Sequence, residues 1–298
     1  MLGSSEEHLE RALSDYNDKV NSLEPLGDSE ELLEAYVNRG CVLKMLEHYT
    51  SSLEDLESAA EMAERIDTDD GTYVKMYSAL GELRQHFGMS SAEPLEKAAS
   101  RLDRIGSSSH HFDSRRVVTM CIRSAEVLLD DGFSKEAQPF LAKAIESTES
   151  RMDPWMRNRR MEAYGLLGEM HEALESPSEA EASYAEAASI GEDLMRTGSL
   201  EDVELLAATF MAKAECDLDL DMMDQFLADS DSAILLIEEM HRSGIADSVS
   251  EATDICHNVA AELMKRGKVP GVLKSANFPG GPEYNKGYVE PRYAKEGL

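Results

Sequence analysis

This sequence of 298 residues has few aromatic residues, few basic residues and no long apolar run. Aromatic residues make up only 6% of it, while alanine, leucine, glutamate and methionine are prominent, which favours helices over sheets. No stretch approaches the ~18 consecutive apolar residues that a transmembrane helix needs. The N-terminus lacks a basic region followed by an apolar run, so we expect neither a membrane span nor a signal peptide.

Basic residues are outnumbered by acidic ones, 29 Lys and Arg against 59 Asp and Glu, and the formal net charge is −30. This charge repels phosphate groups, so nucleic acid and anionic membranes are poor partners for the protein as a whole. It could attract a basic peptide or protein. Two interpretations stay open: a well-solvated helical surface, which we favour, and an acidic surface that binds a partner.

Cysteine is scarce as well, and the four cysteines do not form a recognisable site. Cys41, Cys121, Cys216 and Cys256 lie far apart within helical patterns, and no CxxC motif occurs. We therefore expect buried free thiols rather than a disulfide framework or a zinc site. Free thiols are typical of a reducing compartment, and we predict a cytoplasmic protein.

Motifs of the common enzyme and metal-binding classes are absent: GxGxxG, GxxxxGK[ST], HExxH and GxSxG do not occur. His110 and His111 lie in a Gly/Ser stretch with no third metal ligand nearby. The acidic triplet that begins at Asp217 is similar to the start of a calcium loop. However, Met222 and Ala228 occupy the positions that require Gly and Glu. We predict no catalytic residue, no cofactor and no metal site.

Apolar and small residues recur at helical spacing along most of the chain, most clearly between residues 160 and 193. A turn at Ser176 and Pro177 divides this stretch, and Ser178 with Glu181 has the spacing of a capping box for the second helix. The stretch is therefore predicted to form two antiparallel helices joined by a short turn. Its recurring residues are Tyr164, Leu167, Gly168, Ala180, Tyr184 and Ala187.

Similar pairs of helices are predicted over residues 29–66, 70–105, 114–150 and 199–242. Single helices are predicted over 4–23 and about 248–266. Each pair has a small residue where its two helices are expected to cross, and successive crossing residues are 41, 44, 43 and 44 positions apart. Repetition with a period of 20 to 50 residues is typical of a helical solenoid. The predicted crossing residues are Gly40, Gly81, Ala125, Gly168 and Ala212, with Ala214 as an alternative to Ala212.

The order of aromatic, Leu-Gly, small, aromatic and small residues resembles the tetratricopeptide repeat. The long period is similar to that of the branch that includes kinesin light chain and SNAP-type adaptors. The resemblance covers residues 29 to 245. It implies an all-α protein, an α-solenoid of about five helical hairpins with N- and C-terminal capping helices, in a domain over residues 1–266.

The resemblance also implies a function, that of a non-catalytic adaptor or scaffold. Such arrays bind a peptide or a partner protein in a concave groove lined by the first helix of each hairpin. The strong negative charge offers an alternative, an acidic regulator that sequesters a basic protein or mimics nucleic acid.

Carried over to this sequence, the groove positions give a set of candidate partner-binding residues. Asn38 matches a position at which an amide can both donate to and accept from a ligand backbone. Four of the residues, Asn38, Lys44, Lys75 and Arg123, are similar to the two-carboxylate clamp of chaperone-binding members, but glutamates intrude at neighbouring positions. The full set is Asn38, Lys44, Lys75, His86, Arg123, Glu126, Leu166, Glu169, Phe210 and Lys213.

Arg157, Arg159 and Arg160 follow the single tryptophan, Trp155, and form a dense basic cluster. We expect Trp155 to pack against the preceding hairpin, with a role as a surface anchor as the alternative. The arginines are expected to pair with neighbouring glutamates.

From Gly267 the helical pattern ends, and glycine and proline exclude a long helix over residues 267–298. This tail is basic and aromatic, in contrast to the acidic body. Two interpretations stay open: an irregular tail, partly disordered or lying on the last helices, and a segment that lies over the acidic groove or carries a recognition motif.

Overall fold

The computed structural model describes residues 3–105, 114–149, 151 and 153–242, and in these parts of the chain it contains helices and no strand. The all-α prediction is confirmed. A short 3-10 turn, Glu24–Leu26, separates the first two helices. The helices are α1 Gly3–Leu23, α2 Glu30–Met45, α3 Tyr49–Ala63, α4 Asp70–His86, α5 Ala92–Leu102, α6 Ser114–Asp130, α7 Ser134–Glu149, α8 Pro154–Ala173, α9 Pro177–Arg196, α10 Val203–Asp219 and α11 Met223–Arg242.

The chain divides into two compact units, Met1–Leu200 and Glu201–Leu298. Unit 1 contains α1 to α9, and the described part of unit 2 is the hairpin of α10 and α11. The predicted last helix, the tail over 267–298, His110, His111 and Cys256 lie outside the described residues, so the predicted domain boundary after residue 266 remains a prediction.

The first helix of four hairpins begins with a side-chain cap. Ser29, Asp69, Asp153 and Asp202 each accept a hydrogen bond from the backbone N–H three residues later. Such caps satisfy backbone donors that have no partner within the helix, which fixes where α2, α4, α8 and α10 start.

The capping box predicted at Ser178 is wrong. Helix α9 begins one residue earlier, at Pro177, and Ser176 precedes it without a side-chain cap. Proline suits the first position of a helix because its fixed φ is helical and its missing N–H would have no partner there.

The two helices of each hairpin cross at a small residue, as predicted. A Cβ atom added to Gly40 would lie 2.9 Å from Leu56 Cγ, and one added to Gly81 would lie 2.5 Å from Leu95 Cγ. One added to Gly168 would lie 2.4 Å from the ring of Tyr184. A side chain at any of these three positions would therefore collide with the leucine or tyrosine side chain that packs across it. Ala125, at the corresponding position of the third hairpin, is fully buried.

In the fifth hairpin the structure favours Ala214 over Ala212 as the crossing residue. Lys213 Nζ donates to Asp229 Oδ2 at 2.6 Å, and the two residues are 16 positions apart. In the first hairpin Arg39, directly before Gly40, pairs with Asp55 at the same separation. The two ion pairs occupy equivalent positions, which aligns Ala214 with Gly40, and Ala214 is buried.

Within unit 1 the first helices form the inner layer. Helices α2, α4, α6 and α8 contact one another in succession, whereas among α3, α5, α7 and α9 comparable contact joins only α5 and α7. The closer spacing of the first helices curves unit 1 toward their side. Helix α1 packs on α2 and buries Val20, which confirms the predicted N-terminal capping helix.

Candidate partner-binding face

The inner face of unit 1 is the solvent-accessible side of α2, α4, α6 and α8. Residues three and four positions apart lie on the same side of a helix, and this spacing identifies which residues of each helix belong to the inner face. The inner face comprises Asn38, Cys41 and Lys44 on α2, Lys75 and Glu82 on α4, Arg115, Thr119, Arg123, Glu126 and Asp130 on α6, and Trp155, Arg159, Glu162, Leu166, Glu169 and Glu172 on α8.

Three predicted residues meet where α2 and α4 pack together. Lys75 Nζ donates to Asn38 Oδ1 at 2.6 Å, and Lys44 Nζ lies 2.5 Å from Glu82 Oε2. Each contact joins two hairpins, and the four side chains are only partly exposed. The structure therefore places Asn38, Lys44 and Lys75 together and fixes their positions through contacts that no single hairpin could make.

Cys41 lies within this group. Burial raises the pKa of its thiol, and the positive charges of Lys75 and Lys44 oppose that rise. The thiol therefore stays protonated at neutral pH, so Cys41 serves as a small packing residue between charged neighbours rather than as a nucleophile.

Carboxylates crowd the inner face between α4, α6 and α8. Glu82, Glu126 and Glu169 each directly follow a crossing residue, so they occupy equivalent positions on three successive hairpins. Burial raises the pKa of Glu126, and Asp130 and Glu82 raise it further, while Arg123 and Arg159 lower it.

Glu169 is in a similar environment on α8. Surrounding protein atoms raise the pKa of its partly accessible carboxyl, and the negative charges of Glu172, Asp130 and Glu126 raise it further. The structure thus brings the predicted residues Glu126 and Glu169 into electrostatic contact with each other. A cationic group placed between them would relieve the repulsion.

The opposite end of α6 and α8 is basic and aromatic. The guanidinium carbon of Arg115 lies 5.1 Å from the ring of Trp155, and that of Arg159 lies 5.9 Å from it. Arg115 also pairs with Asp153, and Arg159 pairs with Glu162. Trp155 is partly buried against the hydrophobic core, which confirms its predicted packing.

Three more arginines are near this group in the sequence: Arg116 directly follows Arg115, Arg160 directly follows Arg159, and Arg151 precedes Trp155 by four positions. None has a carboxylate partner in the described part of the chain. Arg151 Nη2 donates to Ser114 Oγ at 3.3 Å, Arg160 Nη1 donates to the carbonyl oxygen of Glu149 at 3.1 Å, and Arg116 is exposed. We call this group of six residues the arginine–tryptophan edge: Arg115, Arg116, Arg151, Trp155, Arg159 and Arg160.

The other two predicted residues of unit 1 differ in position. Leu166 is half-buried on α8 among the polar residues of the inner face. His86 lies at the end of α4, where its ring centroid is 4.0 Å from that of Tyr49 of α3 in a tilted arrangement and 5.3 Å from that of Phe87 edge to face. These aromatic contacts tie His86 to the turns between helices rather than to the middle of the inner face.

Phe210 and Lys213 are in the interior of the hairpin in unit 2. Phe210 is only 6% exposed, and the Lys213 side chain pairs with Asp229 and Asp217. Asp217 is fully buried and lies within α10. Phe210 and Lys213 lie in the interior because of the register of the fifth hairpin. With Ala214 as the crossing residue, both side chains face the second helix of the hairpin.

Two kinds of feature are absent from the described residues. No group of three or more His, Cys, Asp or Glu side chains there is arranged to hold a metal ion. None of the helices in the same residues is long and apolar enough to cross a membrane.

Comparisons with known proteins give matches at the level of structure only. No protein-family model matches the sequence, and no curated protein matches it. One similar structure is BtubC (BKLC) from P. vanneervenii, with 18% identity over 78% of this chain and 92% of that chain and a TM-score of 0.49.

Two other similar structures come from yeast and from a bacterium. The TPR2AB-domain:pHSP90 complex of yeast Sti1 has 12% identity over 87% of this chain and 99% of that chain, with a TM-score of 0.38. Aspartyl phosphate phosphatase F from Bacillus subtilis has 13% identity over 90% of this chain and 76% of that chain, with a TM-score of 0.44. These values support no transfer of function. The hairpins themselves, with their small crossing residues and inner layer of first helices, form a helical repeat of the kind that the resemblance to the tetratricopeptide repeat predicted.

Proposed function

We propose that this protein is a non-catalytic scaffold that binds a peptide or a partner protein on the inner face of unit 1. The observation that carries the proposal is the pair of contacts between hairpins, Lys75 with Asn38 and Lys44 with Glu82. They hold polar groups from separate repeats in fixed positions on an accessible surface.

Partly exposed contacts of this kind, here one hydrogen bond and one ion pair, contribute little to stability, about 0–1 kcal/mol for the ion pair. Their main effect is to order long side chains before a ligand arrives. A surface whose side chains are already ordered loses less conformational entropy on binding than a mobile one. The inner face is therefore suited to recognition, whereas the core beneath it already holds the hairpins together.

The crowded carboxylates favour a second candidate function, the sequestration of a basic protein. The raised pKa values of Glu126 and Glu169 reflect burial and neighbouring negative charge that a lysine or arginine of a partner would offset. Binding of this kind would weaken steeply with added salt and would lower the pKa of the two carboxyl groups.

The experiment that tests the proposal is quantitative capture of partners from source-cell lysate by the full-length protein and by matched charge variants. Arg123→Glu changes the inner face, and Lys135→Glu makes the same change on the exposed side of α7. Glu169→Lys and Glu57→Lys form a second such pair, with Glu57 exposed on α3.

We expect partners that the wild type and both outer variants capture to be lost from both inner-face variants. Equal capture by inner and outer variants would contradict binding on the inner face. Salt sensitivity of the captured partners, with a predominance of basic proteins, would favour the second candidate function over the first.

A further inference from the structure

The first helices of unit 1 differ in how charge is distributed along them. In α2 and α4 the first turn is acidic and the last turn is basic, which the helix macrodipole stabilises. Helices α6 and α8 have no acidic residue in the first turn. Their N-terminal ends carry arginines instead, and their C-terminal ends carry Asp130, Glu169 and Glu172, with His171 as the basic exception.

This reversed arrangement does not stabilise the helices that carry it. A cation near a helix N-terminus interacts unfavourably with the macrodipole, and the same holds for an anion near the C-terminus. The cap supplied by Asp153 offsets the effect at only one position in α8. Helix stability therefore does not explain why arginines gather at the starts of α6 and α8.

Pairing within the protein does not explain them either. The chain has about two acidic residues for each basic one, yet Arg116, Arg151 and Arg160 have no carboxylate partner in the described residues. Arg115 and Arg159 do have carboxylate partners, and they also flank the ring of Trp155. The edge thus combines guanidinium groups with an aromatic face.

The net charge of the whole protein does not cancel this local positive charge. At physiological ionic strength, exposed charges more than about 8 Å apart are largely screened from one another. The potential at the edge is therefore set by its own five arginines and by the few carboxylates beside them. A short anionic segment can approach this edge even though the remaining surface is acidic.

We propose that the arginine–tryptophan edge binds an acidic peptide segment of the partner protein. This inference rests on the proposed function, because the segment belongs to the partner that occupies the inner face. Guanidinium groups bind carboxylates through paired, charge-assisted hydrogen bonds, and the Trp155 ring offers an adjacent surface for the segment to pack on.

The rest of the inner face limits the length of this segment. Toward the C-terminal ends of α6 and α8 the face becomes acidic at Glu126 and Glu169. A continuous polyanion such as nucleic acid would meet repulsion there, whereas a short segment of glutamates or aspartates would contact only the basic end. The partner segment is therefore acidic at one end and neutral or basic beyond it.

Trp155 is the single tryptophan of the chain, so its fluorescence reports directly on this edge. The experiment titrates the full-length protein with a hexaglutamate peptide, with a Gly-Ser peptide as a neutral control. We expect a saturable change in Trp155 emission with hexaglutamate that weakens as salt is added, and no change with the Gly-Ser peptide.

Charge variants separate binding at the edge from general electrostatics. Arg116→Glu is the informative variant, because Arg116 is exposed and its loss leaves the described contacts intact. Arg196→Glu, on the exposed last turn of α9, is the matched control. We expect Arg116→Glu to weaken hexaglutamate binding ~10-fold or more, the effect of losing one charge-assisted hydrogen bond, with an unchanged unfolding midpoint. Arg196→Glu should bind like the wild type.

Equal affinity of the Arg116→Glu and Arg196→Glu variants would overturn the proposal. So would a titration in which a phosphoserine peptide binds and hexaglutamate does not, because the edge would then recognise phosphate. The lysate capture keeps the two proposals distinguishable. A partner that is lost with Arg123→Glu and kept with Arg116→Glu would refute the role of the edge and leave the proposed function intact. A partner kept by both would refute the proposed function itself.

Discussion

Two glycines of α8 lie one turn apart in opposite surroundings, and replacing each by alanine tests the packing of the fourth hairpin. A Cβ atom added to Gly168 would lie 2.4 to 2.6 Å from three ring atoms of Tyr184. One added to Gly165 would have nothing within 4 Å. Both residues have helical backbone, so the two substitutions share the same gain in helix propensity and differ only in contacts.

That shared gain is about 1 kcal/mol, because alanine is the better helix former. For Gly165→Ala it is the whole effect, and we expect stabilisation of about 1 kcal/mol. For Gly168→Ala, overpacking against Tyr184 costs about 1–3 kcal/mol. A displaced ring would also lose the hydrogen bond that Tyr184 Oη donates to Glu172 Oε2 at 2.6 Å, which costs about 1 kcal/mol more.

The two variants should therefore differ in stability by about 2–4 kcal/mol, or roughly 5–15 °C in melting temperature. The assay is urea and thermal unfolding, followed by helical circular dichroism and by the fluorescence of Trp155, which lies at the start of the same helix. Gly165→Ala should exceed the wild type in stability and Gly168→Ala should fall below it. Equal stability of the two variants would refute close packing at Gly168.

Three further predictions concern buried charge and thiol chemistry in unit 1. Asp55→Ala should lower the free energy of unfolding by about 3 kcal/mol in urea titrations, because it leaves the half-buried Arg39 guanidinium without its two 2.7 Å contacts. Joint Glu126→Gln and Glu169→Gln substitution should raise the urea midpoint at neutral pH. The two carboxyl pKa values are raised in the folded state, so their stabilising effect is complete below the unfolded pKa and is lost as pH rises through the folded pKa. Cys121, whose pKa burial raises to about 12, should react with a thiol reagent at neutral pH only when the protein unfolds.

The first two of these predictions have controls in the same chain. Asp28 pairs with Arg65 at a well-exposed position, so Asp28→Ala should cost less than about 1 kcal/mol. For Glu93, hydrogen bonds from Arg84 and Lys97 lower the pKa, so its stabilising effect is present above the unfolded pKa and is lost as pH falls. Glu93→Gln should therefore lower the free energy of unfolding at neutral pH. A higher free energy of unfolding there would contradict the direction of the effect that we infer from the pKa shifts.

The hairpins could be predicted from sequence because their signals are local. A glycine such as Gly168 and an aromatic such as Tyr184 lie within one helical hairpin, and the spacing of their neighbours repeats along the chain. The N-terminal capping helix followed from a single apolar stripe. The single tryptophan could be assigned to packing against the preceding hairpin because it lies at the start of its helix, next to Pro154.

Features that depend on register or on contacts between hairpins could not be predicted in this way. Ala212 and Ala214 are both small, so the sequence does not distinguish them. The ion pair of Lys213 with Asp229 identifies Ala214 as the crossing residue. In this register Phe210 faces the interior of the hairpin. The contact between Lys44 and Glu82 joins residues 38 positions apart, a separation that carries no sequence signal of its own.

The arginine–tryptophan edge was predicted only in part. The sequence shows Arg157, Arg159 and Arg160 beside Trp155, but Arg115 joins them only because α6 and α8 pack side by side. Arg157 instead pairs with Asp193 of α9. Which members of a charged cluster face the solvent depends on helix packing, and this information is absent from a linear pattern.

The most direct test of the central claim is photo-cross-linking in source cells with a benzophenone amino acid at two exposed positions of unit 1. Thr119 lies on the inner face of α6, and Ala142 lies on the opposite, outer layer in α7. A scaffold that binds through its inner face should give a cross-linked partner from position 119 and none from position 142. The same partner from both positions, or from position 142 alone, would contradict that claim.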